Sequence, residues 1–403
     1  MPDTTLVILT HKFPSAGGEP YLWDELSVTA SQFKKIVICP QNVNGVIEKP
    51  VGWSDHISIT ATDVNQVKIG TYKILKEIMP VLAGEFSVIP SKKLFFSLLK
   101  FNISFLKQAY LRALFLKRQT DNEKNCIVYA YWTDDLAITG AFLKQMRPDI
   151  KFISRAHGFD VFEEQSDYRY IFFRKFQLGA LDALYTVSQA GANHLKNKWK
   201  MFSAKISMMR LGVKSDGKIC FEQGDIIRLV TCSHIRSIKR LDRLAEILHH
   251  ISTRQVEWHV IGDGQDAQKI RTMVQTLPAN IKVIFHGHMQ AAAIHNLYGS
   301  THFDFFVSLS SSEGLPVSMM EAISHGIPVL STDVGGCNEI VNAGTGHLIP
   351  AVFENKEVSD IILNCKSGVF DSAAARAAIK QFWADYFDAE KNYLLFSKAL
   401  QKL

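Results

Sequence analysis

Cysteine is scarce in this chain, and long apolar runs are missing. Six cysteines occur among the 403 residues, scattered and without a C-x2-C pair. Neither a zinc site nor a disulfide framework is therefore expected, and a reducing compartment is favoured. No stretch approaches the roughly 18 consecutive apolar residues that a membrane-spanning helix needs, so we expect no such helix.

Low-complexity tracts are also missing. Hydrophobic residues make up 47% and charged residues 21% of the chain, which is typical of a globular protein. A length of 403 residues predicts two domains. The apolar run 6–9 has no basic region before it, so we interpret it as a first strand and not as a signal peptide. The net charge of +6 is modest, and we expect no nucleic-acid partner.

Acidic residues are absent from positions 86–120, here called the basic segment. Its cationic residues are Lys92, Lys93, Lys100, Lys107, Arg112, Lys117 and Arg118. Aromatic and aliphatic residues lie between them, a composition that favours one or two amphipathic helices on an anionic membrane surface. The alternative is a helix that packs into a core and turns its basic face to water.

Short apolar runs recur along both halves of the chain. In the first half they cover residues 6–9, 36–39, 127–130, 152–154 and 183–187. In the second half they cover residues 226–230, 256–261, 281–285, 303–309 and 329–331. Continuous apolar strands that alternate with helical segments are typical of parallel sheets covered on both faces. We therefore predict an α/β chain.

The segment Ser310–Leu330 combines a turn, a helix and the start of a strand. Pro316 is predicted at the first helical position, where an N–H has no helical partner anyway, and the helix is predicted to end at Gly326. The turn contains Glu313 and the helix contains Glu321. Free N–H groups at a helix start bind anions, and carboxylates accept hydrogen bonds from sugar hydroxyls, so the pattern indicates a site for a sugar diphosphate. The alternative is a surface helix with two solvated glutamates.

The stretch SSSEGLPVSMMEAISHGIPVLSTDVGGCNEIV, which begins at Ser310, resembles the E-x7-E block of the family 4 retaining glycosyltransferases. Members of that family have the GT-B fold, with two Rossmann-like α/β domains facing a central cleft and a C-terminal helix crossing back to the N-terminal domain. The resemblance implies that Glu313 contacts the donor sugar and that Glu321 contacts the ribose. The donor-binding turn would contain Gly314, Leu315 and Pro316.

The resemblance also implies a division of the chain. An N-terminal acceptor-binding domain would cover residues 1–215, with the basic segment as an insertion. A C-terminal domain that binds the nucleotide-sugar would cover residues 225–380. The last helix, within residues 381–403, would pack back on the N-terminal domain.

Two elements of the first half carry further similarity. Gly17 and Gly18 precede a predicted helix and resemble the family's N-terminal glycine loop, where the backbone comes close to the donor diphosphate. His157 follows the strand at 152–154 and forms a His-Gly-x-Asp element with Asp160. The resemblance places this histidine near the donor sugar. The alternative is a histidine satisfied by loop carbonyls.

The turn after residue 231 departs from the family pattern. Family members have Gly-Arg-Leu followed by Lys-Gly, and the arginine and lysine neutralise the departing diphosphate. Lys239 matches the lysine, but His234 stands where the arginine is usual. Arg236 or Arg240 would supply the missing charge.

Gly262 and Gly264 follow a strand in a G-x-G-x-x-A pattern. A dinucleotide site would also need an acidic residue about 20 positions further on, and residues 281–289 contain none. We therefore reject NAD and interpret the glycines as a turn at the ligand-binding edge. Met289 lies in a segment that resembles the family's base-binding turn.

The resemblance implies a retaining hexosyltransferase in which Glu313, Lys239 and His157 are catalytic. Its co-substrate would be a nucleotide-diphospho-sugar, with a UDP-sugar favoured and a GDP-sugar as the other candidate. No Asp-x-Asp occurs in the chain. We therefore expect a metal-independent enzyme without a cofactor, in which cationic side chains replace Mg²⁺.

From the basic segment we expect a lipid-linked glycan or glycolipid acceptor. The protein would be cytoplasmic and peripheral on the inner face of the plasma membrane, in the assembly of a surface polysaccharide such as O-antigen, capsule or exopolysaccharide. Two rival functions stay open. One is a GT-B nucleotide-sugar 2-epimerase. The other is a non-catalytic subunit that supports a partner glycosyltransferase, for which His234 is the best argument.

Overall fold

The computed structural model of the protein describes residues 3–15, 19, 21–42, 47, 49–50 and 52–403. Gly17 and Gly18 lie outside these described residues. The chain divides into two compact units: unit 1 comprises the residues up to Met209 together with Tyr393–Leu403, and unit 2 comprises Arg210–Asn392. The sequence predicts divisions near 215–225 and 381, and the structure divides after 209 and after 392.

Unit 1 contains a seven-stranded sheet within the described residues, in the order β3-β2-β1-β4-β5-β6-β7. Its strands are β1 (Thr5–Thr10), β2 (Lys35–Pro40), β3 (Ile57–Ile59), β4 (Cys126–Ala130), β5 (Lys151–Ala156), β6 (Ala183–Thr186) and β7 (Ile206–Met208). All neighbours pair in parallel. Every residue of β1 is buried, as expected for a parallel strand covered on both faces. The three-residue strands β3 and β7 are missed by the sequence analysis because runs so short show no periodicity.

Helices cover this sheet. They are α1 (Leu22–Thr29), α2 (Thr71–Val88), α3 (Lys92–Ser97), α4 (Leu99–Thr120), α5 (Asp135–Met146), α6 (Arg174–Ala180) and α7 (Gln189–Lys198). The last helix of the chain, α14 (Ala389–Leu400), contributes Phe396 and Leu400 to the hydrophobic core of unit 1.

Unit 2 contains a six-stranded parallel sheet within the described residues, in the order β10-β9-β8-β11-β12-β13. Its strands are β8 (Ile227–Cys232), β9 (Val256–Ile261), β10 (Ile281–Gly287), β11 (Phe305–Ser308), β12 (Val329–Thr332) and β13 (Gly346–Ile349). Its helices are α8 (Leu241–Leu248), α9 (Ala267–Met273), α10 (Ala291–Ser300), α11 (Val317–Ser324), α12 (Asn355–Leu363) and α13 (Ala373–Tyr386). The two doubly wound sheets confirm the predicted α/β class.

The basic segment contains the last residues of α2 and the whole of α3 and α4 in unit 1. The apolar face of α4 is buried, including Leu106, Tyr110 and Phe115, and packs mainly on α5. The apolar face of α4 is therefore part of the core and is not available to a membrane surface. Phe96 and Phe101 remain 61% and 59% exposed. In the described part of the chain, no helix is long and apolar enough to cross a membrane.

A buried ion pair joins α1, β5 and α14 in unit 1. Arg155 is fully buried, and its Nη1 donates to Oε2 of Glu25 at 2.5 Å. The guanidinium also lies 4.1 Å from the ring centroid of Phe396 in the last helix. Because this cation holds three elements at one place, the position of the last helix depends on it.

We predict that Arg155→Met lowers the free energy of unfolding by about 3–5 kcal/mol, because it leaves the Glu25 carboxylate buried without a partner. Urea unfolding followed by tryptophan fluorescence measures this loss. The double variant Arg155→Met/Glu25→Met, which removes both charges, is expected to recover most of it. A single variant as stable as the unmodified chain would show that the pair does not hold these elements.

Candidate functional site

The order of the strands reverses between β8 and β11 in unit 2. In open α/β sheets, ligands bind outside the carboxyl ends of the strands at such a reversal. The loops that leave β8 and β11 there contain Lys239 and Glu313, respectively. The backbone N–H of Ser311 donates to the carbonyl of Ile238 at 2.9 Å, so the two loops are fixed to each other.

Lys239 and Glu313 form an ion pair across these loops. The Nζ of Lys239 lies 2.6 Å from Oε1 of Glu313, and the two side chains are 22% and 9% exposed. Glu313 is thus buried and paired, unlike the solvated glutamate of the alternative interpretation. A cation and a carboxylate in contact can each exchange this partner for a group on a ligand, the lysine for a phosphate and the glutamate for a hydroxyl.

The turn that carries Glu313 needs glycine on the neighbouring loop. Gly335 has a φ of +56°, and a Cβ there would lie 1.9 Å from the carbonyl oxygen of Glu313. The next residue, Gly336, donates its N–H to the carbonyl of Gly314 at 2.7 Å. The loop after β12 therefore holds the Glu313 turn through backbone contacts that any side chain at 335 would break.

Helix α11 begins at Val317, and Pro316 occupies the N-cap position with a φ of −73° and a ψ of 109°. The prediction that Pro316 is the first helical residue is wrong by one position, because its ψ is extended. Glu321 lies half-buried on this helix. Burial raises the pKa of the Cys232 thiol to about 12, and the Glu321 carboxylate adds to this shift, which places Glu321 close to the end of β8.

The two arginine candidates differ in their surroundings. Arg240 donates to the carbonyl of Ala351 at 3.0 Å and lies over the ring of Phe353. Its guanidinium is therefore already used to hold the loop after β13. Arg236 and His234 are exposed beside Lys239 on the same loop. Arg236 is the better candidate for the charge that completes a diphosphate site.

Gly262 and Met289 lie at the same edge of the sheet. Gly262 has a φ of +119°, and a Cβ there would lie 1.9 Å from the carbonyl oxygen of Ser233. Its N–H donates to the carbonyl of Gly287 at 2.7 Å. Gly262 is therefore required for the close packing of three loops. Met289 follows β10 and is half-buried.

In unit 1, the loop after β5 is organised around Asp160. Its Oδ1 accepts from the N–H groups of His157 and Gly158 at 2.6 and 3.1 Å, and its Oδ2 accepts from the N–H of Thr133 at 2.9 Å. Burial acts to raise the pKa of Asp160, but His157 and the backbone donors bring it below its usual range. Asp160 thus fixes the position of His157.

The ring of His157 is buried and packs on Trp132, with the centroids 4.2 Å apart. Neither ring nitrogen has a hydrogen-bond partner among the described residues, and Nδ1 lies 3.9 Å from Oδ2 of Asp160. The alternative interpretation, in which loop carbonyls satisfy the histidine, is therefore wrong for the described residues. Burial lowers the pKa of His157, so the neutral ring keeps one donor and one acceptor for a ligand.

A polar cluster that the sequence motifs do not predict lies at the strand reversal of unit 1, between β1 and β4. The carboxylate of Glu19 accepts from the N–H groups of His11 at 2.5 Å and Phe13 at 2.9 Å, and from Nε1 of Trp132 at 3.3 Å. The ring of His11 in turn contacts Asp134 at 2.7 Å. The signal for this cluster is Trp-Thr-Asp-Asp directly after a predicted strand.

Within the described residues, one group of side chains has the spacing of a metal site. It consists of His11, Asp134 and Asp135, whose possible ligand atoms lie within 4.8 Å of one another. Burial acts to lower the pKa of His11, but the hydrogen bond to Asp134 and the nearby carboxylates raise it to about 9. Asp135 also accepts from Arg112 at 2.9 Å. The group therefore acts as an ion-pair network.

We predict that Gly335→Ala destabilises unit 2 and weakens any ligand contact made by Glu313. A left-handed backbone costs a residue with a Cβ about 1–2 kcal/mol, and the clash with Glu313 adds to it. Gly344→Ala is the matched control, because Gly344 is exposed and a Cβ there would meet only the side chain of Asn342, at 3.2 Å. Thermal unfolding compares the two variants, and equal stability would contradict the role given to Gly335.

Parts of this chain are similar to known proteins. Residues 222–367 match the family model described as glycosyl transferases group 1. The O-antigen biosynthesis glycosyltransferase WbnH of Escherichia coli is 31% identical over 163 residues, which are 39% of this chain and 43% of that protein. The GtfA subunit of a peptide N-acetylglucosaminyltransferase from Streptococcus agalactiae is 29% identical over 126 residues, 30% of this chain and 24% of that protein. Each match thus spans less than half of the relative.

Solved structures cover almost the whole chain. The lipopolysaccharide outer core galactosyltransferase WaaB has a TM-score of 0.69 at 16% identity, over 98% of this chain and 99% of that chain. HepE from Anabaena in complex with UDP has a TM-score of 0.67 at 13% identity, over 99% of this chain and 100% of that chain. At these identities the likeness shows the fold. The chain has the GT-B fold, and its residues 222–367 are similar to the group 1 glycosyl transferases.

Proposed function

We propose that the chain is a retaining glycosyltransferase that moves a hexosyl unit from a nucleotide-diphospho-sugar to an acceptor. The observation that carries the proposal is the ion pair between Lys239 and Glu313 at the strand reversal of unit 2. Both residues match the motif positions of the family, and the contact between them puts a phosphate-binding cation beside a hydroxyl-binding carboxylate. The match to group 1 glycosyl transferases over residues 222–367 supports it.

For the donor we favour a UDP-sugar, with a GDP-sugar as the other candidate. HepE of Anabaena has been solved with UDP-glucose, and the pneumococcal GtfA with UDP and GlcNAc. In our proposal Glu321 binds the ribose, and the backbone near Met289 meets the base. Gly262 shapes this edge of the sheet.

The diphosphate would be held by Lys239, by the exposed Arg236 and by the N–H groups at the start of α11. When the bond between the sugar C1 and the phosphate oxygen breaks, its electron pair leaves with the nucleoside diphosphate. These positive groups stabilise the charge that develops there. No metal or other cofactor is needed in this proposal, because the charge is carried by side chains and a helix end.

The acceptor oxygen would form its bond to C1 on the face that the phosphate leaves, which gives retention. The acceptor proton would pass to the departing phosphate oxygen. Glu313 would hold hydroxyls of the donor sugar. His157 would use its neutral, unpartnered ring in the same way.

For the acceptor we propose a lipid-linked glycan or glycolipid of a surface polysaccharide, used at the inner face of the plasma membrane. The membrane contact would be made by α3 and the first turn of α4. There the exposed rings of Phe96 and Phe101 accompany the exposed cations Lys93 and Lys100. Relatives named for O-antigen and colanic acid biosynthesis support this setting.

We predict that UDP or a UDP-sugar raises the melting temperature of the protein and that EDTA leaves the shift unchanged. A ligand at 100 times its Kd adds about 2.7 kcal/mol. The shift should disappear in Lys239→Ala and persist in Lys356→Ala, whose side chain is 83% exposed and lies outside the proposed site. A shift that needs Mg²⁺ would refute the metal-free donor site. A shift given by none of UDP, GDP, ADP and their sugar conjugates would favour the non-catalytic subunit.

We also predict binding to anionic liposomes at low salt. Each lysine near an anionic surface contributes about 1 kcal/mol, so Lys93→Gln/Lys100→Gln should weaken binding roughly 30-fold. The control is Lys68→Gln/Lys200→Gln, which removes two exposed lysines of unit 1 outside the basic segment. Co-sedimentation measures both variants. Equal loss in the two pairs would mean that the basic segment is not the contact.

A further inference from the structure

A cavity of about 320 Å³ lies entirely within unit 1, between the start of α4 and the segment 159–177. Small-molecule sites begin at about this size. Aromatic rings form much of its wall, and the rings of Phe101, Phe159 and Tyr168 are 59%, 46% and 48% exposed. Exposed aromatic groups around a cavity mark a binding surface.

Asn102 lines this cavity on α4 and is 1% exposed. Neither Oδ1 nor Nδ2 of its amide has a hydrogen-bond partner among the described residues. Leaving a buried polar group unsatisfied destabilises a fold, so such a side chain is not explained by packing. An amide offers both donors and an acceptor to a ligand.

A second buried amide lines the same cavity. Gln177 donates from Nε2 to the backbone carbonyl of Asp134 at 2.7 Å, which fixes the orientation of its side chain. Its Oε1 has no hydrogen-bond partner in the part of the chain that the structure describes. Asn102 and Gln177 together present donors and acceptors to whatever fills the cavity.

The charge of the lining decides what kind of group fits. Among the described residues, no lysine or arginine lines the cavity, whereas Asp134, Asp135, Asp160 and Asp167 do. His11 and Arg112 neutralise Asp134 and Asp135 from outside the lining, but a phosphate or another anion would find no cationic side chain in the lining to bind it. A purely apolar chain would leave the amide of Asn102 and the Oε1 of Gln177 unsatisfied. A neutral polyol with an apolar ring face satisfies the amides and packs on the aromatic side chains.

We propose that this cavity binds one neutral saccharide ring of the acceptor. That the bound ring is an acceptor rests on the proposed function, whereas the binding itself does not. Phe159 and Asp160 of the cavity wall belong to the loop of His157, so the bound ring lies beside a predicted catalytic residue. Phe101 belongs to the basic segment, so a lipid carrying the saccharide would lie on the adjoining basic surface.

Saturation-transfer NMR on the full chain tests this proposal with the methyl α- and β-glycosides of glucose, galactose, mannose and N-acetylglucosamine. At least one of them should bind. Asn102→Leu should weaken that binding about five- to tenfold through the loss of its hydrogen bonds, while the melting temperature stays the same or rises. Phe101→Ala should weaken saccharide binding as well, and because Phe101 is exposed this substitution does not disturb the core.

Tyr72→Ala is the matched control, because Tyr72 is an exposed ring of unit 1 that does not line the cavity. It should leave saccharide binding unchanged. Binding of none of the eight glycosides, or equal binding by the unmodified chain and both cavity variants, would overturn the proposal. Binding of dodecyl phosphate together with binding of no glycoside would assign the cavity to a lipid, and that result would also overturn the proposal. The measurement contains no nucleotide or donor sugar, so its outcome is separate from that of the donor-site test.

Discussion

The contact between Lys239 and Glu313 is the interaction on which the proposed donor site depends. It forms because β8 and β11 are parallel neighbours whose order reverses, so the loops after them meet at one edge. Backbone contacts then fix both loops: Ser311 donates to Ile238, and Gly336 donates to Gly314. In the proposed reaction the donor would therefore meet a preorganised cation and carboxylate, which is the arrangement that electrostatic catalysis requires.

The polar side chains of unit 1 differ from those of unit 2 in their hydrogen bonding. Several polar side chains near the strand reversal of unit 1 are buried and lack hydrogen bonds: neither the ring nitrogens of His157 nor the amide of Asn102 has a hydrogen-bond partner among the described residues. In unit 2 the proposed ligand-binding side chains, Lys239 and Glu313, pair with each other. In unit 1 the proposed ligand-binding side chains have free hydrogen-bonding atoms. This difference fits a charged leaving group bound by unit 2 and neutral hydroxyls bound by unit 1.

Much of this could be read from the sequence. Most of the strands, the turn with Glu313 and the loop with Lys239 follow from local apolar runs and motif spacing, whereas β3, β7 and β13 do not. Other features depend on atoms distant in the chain. The involvement of Arg240 with Ala351, the need for glycine at 335 and the burial of the apolar face of α4 arise from packing that no local pattern encodes. The unsatisfied amide of Asn102 is invisible in sequence for the same reason.

The most direct test of the account follows the purified chain with UDP-sugars and a saccharide acceptor by ¹H NMR. The account predicts that UDP is released only with a competent acceptor, that the new linkage keeps the α configuration of the donor, and that Lys239→Ala abolishes both signals. Inversion at C1 would contradict the front-face reaction. A C2-epimerised sugar without any acceptor would establish the epimerase instead.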